Sequence, residues 1–405
     1  MADATTSRGW MVPVWGLFAA AYAVVTAELI IAGLLPNIAS DLKVDIPTAG
    51  LLITGYALGV AILGPILALA TATLPRRALL LALLAIFIVG NCICAVSGSY
   101  WMLLAARLVL ACCHGLFFGV AMVMASRLAP DGRQTTAISV VVAGTALAQI
   151  LGVPLGTAIG EAFGWRTTFW VIAVLGAVAL LVLLVLIPRT ADPARGKDDF
   201  RAELAAARRP VVLLSYLNVT LFMTGVFTLF AYVVPLMTRL SGVPESLVPW
   251  VLFGMGFLGF FGNLAGGRLG DWKPQATMIG ILAFIIVMAL VMAAVAHSAV
   301  GIVATLCATW LVGFGFVAPV QGRILKAAQD APNFASTLIS TAFNIGIASG
   351  AALGGAALAA GWGYGVLPLI EAAFLALSLC GVLALTARDR RQAALPAAAA
   401  AATAE

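Results

Sequence analysis

The sequence predicts an all-α membrane protein, with twelve transmembrane helices arranged as two pseudo-symmetric six-helix halves. Composition, the run lengths between charges and the placement of basic residues carry that reading. Of 405 residues, 63% are hydrophobic and 9% charged, with a mean hydropathy of +1.11. A soluble globular chain carries roughly 25% charged residues. The bilayer is therefore the main solvent, and length no longer counts domains.

About 20 apolar residues span a hydrocarbon core of roughly 30 Å. In chain order the runs are residues 10–35, 46–75, 78–106, 108–126, 134–160, 167–188, 210–238 and 246–267. Two longer stretches each hold a pair: 274–322, interrupted at His297-Ser298, and 331–388, interrupted at Gly361-Trp362-Gly363. The total is twelve. Arg8 before the first run imitates a signal peptide, but further spans follow where a soluble domain would, so it reads as an uncleaved first helix.

Basic residues stay on the cytoplasmic side of short loops. With the N-terminus inside, eighteen of the 22 Lys and Arg fall on that side, only Lys43, Arg166 and Arg239 fall outside, and Arg107 lies within a span. Both termini are thus expected in the cytoplasm of a bacterium, with the chain in its inner membrane. The net charge of +6 reports topology and not nucleic-acid binding. Cys92, Cys94, Cys112, Cys113, Cys307 and Cys380 all fall in spans, where they read as small packing residues rather than a disulfide framework.

The polar segment 188–210, with six basic and four acidic residues, reads as a cytoplasmic linker. It divides an N-terminal half (1–187) from a C-terminal half (211–387), and the Ala-rich tail 388–405 reads as disordered. A basic loop follows both the second helix (Arg76, Arg77) and the eighth (Gly267, Arg268, Asp271, Lys273), as in a duplicated unit whose substrate site lies near the midplane between halves. Gly144, Gly152, Gly156 and Gly160, around Pro154, mark the fifth helix, and Gly346, Gly350 and Gly354 the eleventh. Small residues at this spacing let helices approach closely, either as fixed packing or as a sliding contact between halves.

An ionisable group inside a span costs roughly 2.5–3.5 kcal/mol. Glu28 in the first helix and Arg107 in the fourth come out at similar depths and are expected to meet, Glu28 as proton carrier or as structural partner. His114, seven residues after Arg107 on the same face, suits a proton relay or a buried hydrogen bond. Glu371, nearer a helix end, reads as structural or snorkelling. Tyr56, Asn218, Tyr232 and Asn344 are polar candidates for a substrate cavity. There is no phosphate-cradling loop, no clustered Cys/His metal site and no catalytic constellation, so neither cofactor nor metal is expected and an ion gradient is the energy source that remains.

Several segments resemble the major facilitator superfamily, and within it the twelve-helix drug:proton antiporters, especially chloramphenicol-resistance and arabinose-efflux-like permeases. They are Thr26-Ala27-Glu28 with Gly33-Leu34-Leu35-Pro36, Gly55-Tyr56-Ala57, the Arg107 to Gly119 stretch, and Ala342 to Gly346 with Asn344. Gly152-Val153-Pro154-Leu155-Gly156, continuing to Gly164-Trp165-Arg166, resembles the antiporter motif of those exporters. The loop after the second helix departs from the family pattern, with Ala68, Ala72 and Thr73 where a Gly-x-x-x-Asp-Arg core stands, although Gly267 and Asp271 keep the second copy. Asn37 replaces an acid found in relatives. The resemblance implies a secondary active transporter, not an enzyme, working by alternating access. It implies export of small, partly apolar molecules, amphenicol-like drugs first, in exchange for protons, with Glu28, Arg107 and His114 in proton coupling and Arg76, Arg77, Gly267 and Asp271 in gating. Its partners would be the small-molecule substrate, protons and the lipid bilayer, and it would act as a monomer. A sugar or nucleoside efflux permease is the alternative within the fold; a non-transporting membrane sensor or intramembrane enzyme is the alternative outside it.

Overall fold

Twelve helices are long and apolar enough to cross a membrane in the computed structural model, which describes residues 10–71, 74–130, 132–187, 209–327 and 332–402. They are α1 (Met11–Asp41), α2 (Ile46–Ala68), α3 (Arg76–Val96), α4 (Tyr100–Leu128), α5 (Thr136–Phe163) and α6 (Trp165–Leu186) in the first half. The second half holds α7 (Pro210–Phe230), α8 (Glu245–Trp272), α9 (Pro274–Ala294), α10 (Ala299–Ile324), α11 (Leu338–Ala359) and α12 (Tyr364–Asp389). No strand occurs among the described residues. Most of the predicted linker, 188–208, lies outside them.

Helix ends follow local chemistry. Asp45 accepts the Thr48 backbone N–H at 2.8 Å and caps α2, and the Thr48 hydrogen bonds hold its carboxyl below the usual carboxylate range. Ser99 and Ser298 cap α4 and α10 in the same way. The predicted run 78–106 breaks at Ser97-Gly98-Ser99, which places Arg107 two turns inside α4. Helix α1 continues past Leu35 through Pro36 to Asp41. The tail expected to be disordered continues the last helix to Ala402, since alanine is the strongest helix former.

The two glycine stripes pack within halves, which corrects the sliding-contact reading. Gly152, Gly156 and Gly160 of α5 face Thr26, Ile30 and Leu34 of α1, while Gly346, Gly350 and Gly354 of α11 face Thr220, Thr224 and Thr228 of α7. Halves meet elsewhere: α2 with α11, α1 with the segment after α7, and α5 with α8. At the last of these, Gly256 of α8 sits against the backbone of Gln149 and Ile150. That stretch of α5, Ala148–Gly152, is a π-helical turn. Pro154 explains it, because its ring clashes with the carbonyl four residues back and has no N–H to offer, and a π-bulge absorbs the mismatch.

Candidate functional site

Close approach of α2 and α4 builds the site. Gly59 faces Ala111, and a Cβ on Gly115 would stand 2.7 Å from the Gly64 Cα, so only small residues permit the contact. One turn from Gly59, Tyr56 lies flat against the Arg107 guanidinium, 4.0 Å from Cζ to ring centroid, in a cation–π pair. Arg107 is wholly buried. It donates through Nη1 to the Ala27 carbonyl and through Nη2 to the Glu28 carbonyl, the latter at 3.1 Å. A carbonyl has a second lone pair beyond its intrahelical bond, so α1 accepts both without fraying. Arg107 thereby clamps α4 to the backbone of α1.

The expected pairing of Glu28 with Arg107 needs correction. Among the described residues the Glu28 carboxylate approaches His114, Oε2 to Nδ1 at 3.7 Å, an ion pair only when the imidazole is protonated, and forms no ion pair with Arg107. Nη1 and Nη2 of the guanidinium take fixed helix carbonyls and its face takes an aromatic ring, while its buried Nε has no hydrogen-bond partner, and the carboxylate turns along α4 toward His114. His114 Nδ1 also lies 3.0 Å from the Tyr56 hydroxyl. When Tyr56 donates to Nδ1, that nitrogen is an acceptor; when Nδ1 carries the proton, it donates to the Tyr56 oxygen, the carboxylate at 3.7 Å lying beyond hydrogen-bond distance. Tyr56 and His114 therefore share one hydrogen-bonded proton, with the Glu28 carboxylate close by.

Glu28, Tyr56 and Arg107 border a cleft whose other wall is Phe227 and Phe230 of α7 and Ile347 of α11. Both halves contribute to it. Its cavity volume, about 10 Å³, is far below the roughly 300–1,000 Å³ of sites that enclose a drug-sized ligand. The shape is a narrow one. Toward the end opposite the basic loops, Tyr232 closes the gap between halves: its hydroxyl donates to the Ala351 carbonyl at 2.8 Å and sits against Gly50 and Gly355 with no room for a Cβ at either.

Residues 16–333 match the family profile described as Major Facilitator Superfamily. This chain belongs to the major facilitator superfamily. The facilitator is similar to the inner membrane transport protein YdhP of Escherichia coli (strain K12), 35% identical over 91% of this chain and 94% of the relative. It is also similar to YtbD of Bacillus subtilis (strain 168), an MFS-type transporter, 35% identical over 84% of this chain and 86% of the relative. It is a multi-pass membrane transporter.

Other predicted residues of this facilitator fall outside the cleft. Asn218 bonds the Leu214 carbonyl and Ser378, holding α7 to α12. Tyr232 is the plug just described, and Asn344 donates to the Ser340 carbonyl within α11. Gly152, Pro154 and Gly156 shape the α1–α5 contact one turn from Glu28. Arg77 donates to the Ile187 and Leu184 carbonyls at the end of α6, beside a half-buried Arg76, so it ties its own half together. Gly267 and Asp271 lie at the end of α8, where Asp271 is exposed. The acid that is paired at that end is Asp389, which accepts two hydrogen bonds from Arg323 and one from Gln275. Sequence reasoning missed this pair, as it missed Asp41 with Arg166 at 2.6 Å, because groups near helix ends satisfy any spacing rule. His/Cys/Asp/Glu groups able to hold a metal ion are absent among the described residues.

Proposed function

We propose that this transporter exports small, partly apolar molecules in exchange for protons, with Glu28 as the proton carrier. One observation carries the reading: an acid at the edge of an otherwise mostly apolar cleft between the halves, linked to His114 and through it to Tyr56, beside a cation fixed to the same helix. With Glu28 ionised, its charge offsets that of Arg107 in a desolvated site. With Glu28 protonated, Arg107 is left uncompensated except by the Ala27 and Glu28 carbonyls and the Tyr56 ring. The difference acts on the α1–α4 clamp, and through Thr26 and Gly152 on α5 and hence on its contact with α8. Protonation is thus a lever on the contact between halves.

In the proposed cycle the proton enters on Glu28 while the site faces outside and leaves while it faces the cytoplasm, where the substrate enters. The basic loops lie inside, with both termini, by the retention of positive charge. A membrane potential supplies about 2.3 kcal/mol per charge per 100 mV, enough for roughly a fiftyfold gradient of a neutral solute. Phenyl and aliphatic walls favour amphenicol-like compounds over sugars, whose hydroxyls would lose water without finding partners. A resistance screen in a host lacking its own pumps tests this: the expectation is protection against lipophilic neutral drugs, and protection only against dianions would contradict it. Substrate-dependent proton movement in liposomes separates this reading from a sensor or an enzyme, which predict none.

A further inference from the structure

Within the spans of the C-terminal half, Glu371 is the acid that lies away from a helix end; Glu245, Asp271 and Asp389 lie at ends. It stands seven residues into α12 from Tyr364, about 10 Å deep at 1.5 Å per residue. A snorkelling role is contradicted, because the residue is 0% exposed and its side chain reaches neither lipid headgroup nor water. Neither carboxyl oxygen has a hydrogen-bond partner.

Among the described residues, the helices packed on α12 hold no counter-charge. Helix α12 packs on α7 and α9, and more lightly on α11, and none of those three helices carries a Lys, Arg, His, Asp or Glu. The titratable groups they do present are Tyr216, about 13 Å before Gly225 along α7 by helical rise, and Cys380 on α12 itself, which is exposed. At the rim, Tyr364 opens α12 and the exposed Arg239 sits in the turn that packs against it. Along α7, Gly225 packs on the Glu371 backbone, where a Cβ would meet its main-chain carbonyl at 3.1 Å. An ionised carboxylate so placed would bear a desolvation penalty with no counter-charge on the packing helices to offset it, and such a group neutralises instead.

We propose that Glu371 is a second proton-binding site, in the half opposite Glu28, occupied in this conformation and emptied when the α7–α12 contact admits water. The link to transport is α7, which carries Gly225 against Glu371 and, two and five residues later, Phe227 and Phe230 into the cleft. A change in cleft width therefore moves the helix that seals Glu371. The site's use in the cycle rests on the proton-driven reading above, but its protonation does not.

Infrared difference spectroscopy on the full chain in lipid nanodiscs tests the proposal, reading the carbonyl stretch that a carboxylic acid has and a carboxylate lacks. At neutral pH Glu371→Gln is expected to lose a solvent-shielded acid band that Glu28→Gln retains, and Glu371→Leu is expected to lose the same band. In wild-type protein the band should disappear on alkaline titration before unfolding. Reconstituted Glu371→Gln should move one proton fewer per substrate. A spectrum unchanged by Glu371→Gln would overturn the proposal, since the group would be ionised at neutral pH. A band that persists to the unfolding pH, with unaltered proton stoichiometry, would also overturn it by making Glu371 a fixed neutral packing group. If the band behaves as expected while a pH gradient drives no transport, the site stands and the export reading falls.

Discussion

At the scale of single residues, Arg107 does more than balance a charge. Its fork spans two carbonyls of α1 while its face covers Tyr56, a geometry that a lysine does not reproduce, having one compact ammonium and no plane. Arg107→Lys is therefore expected to lose at least one charge-assisted hydrogen bond, roughly 1.5–3 kcal/mol, seen as a lower melting temperature in detergent together with loss of gradient-driven transport. An unchanged melting temperature would contradict the clamp. The cost of burying charge made Glu28, Arg107 and His114 legible in the sequence. What spacing did not give was rotation: depth along two helices brings Glu28 near Arg107, but which way each side chain turns depends on α2, whose Gly59 and Gly64 let Tyr56 in. Asn218, Tyr232 and Asn344 make helix contacts here, since a polar residue in a span satisfies a helix contact as readily as a cavity.

At the scale of elements, the stripes of small residues decide which helices touch. A Cβ at residue 152 would collide with the Thr26 hydroxyl, while the rest of that side chain leaves 3.1 Å to Cβ. Gly152→Ala is expected to cost about 1–3 kcal/mol, as overpacking does, and Thr26→Ala in the same chain should recover most of it. Additive losses in that double-mutant cycle would contradict the contact. Gly256→Ala faces backbone rather than a side chain and has no such rescue, so it should separate α5 from α8 and raise thiol labelling of a cysteine placed near Tyr232. The sequence showed these stripes as close contacts without naming their partners, because a glycine records that something comes near and not what. Helix number was legible from apolar run length, and so was the depth of Arg107, two turns into the helix that starts at Tyr100.

At the scale of the whole molecule, the twelve spans were legible because the bilayer imposes their length and apolar character. The closed end at Tyr232 was not, since it joins residues more than a hundred positions apart. A cysteine introduced in the 188–210 segment, in a chain without other cysteines, is expected to resist an impermeant thiol reagent in intact cells and to react after permeabilisation. Labelling of intact cells would reverse the orientation. The proposal that protons drive export through Glu28 depends on a group that can gain and lose one. Glu28→Gln keeps the shape and hydrogen-bonding capacity of the side chain and removes its titration. The direct measurement is accumulation of a screened substrate in proteoliposomes under an imposed pH gradient, with counterflow as the control for binding and exchange. The expected result is that Glu28→Gln retains counterflow and loses gradient-driven accumulation; undiminished accumulation by Glu28→Gln would contradict the account.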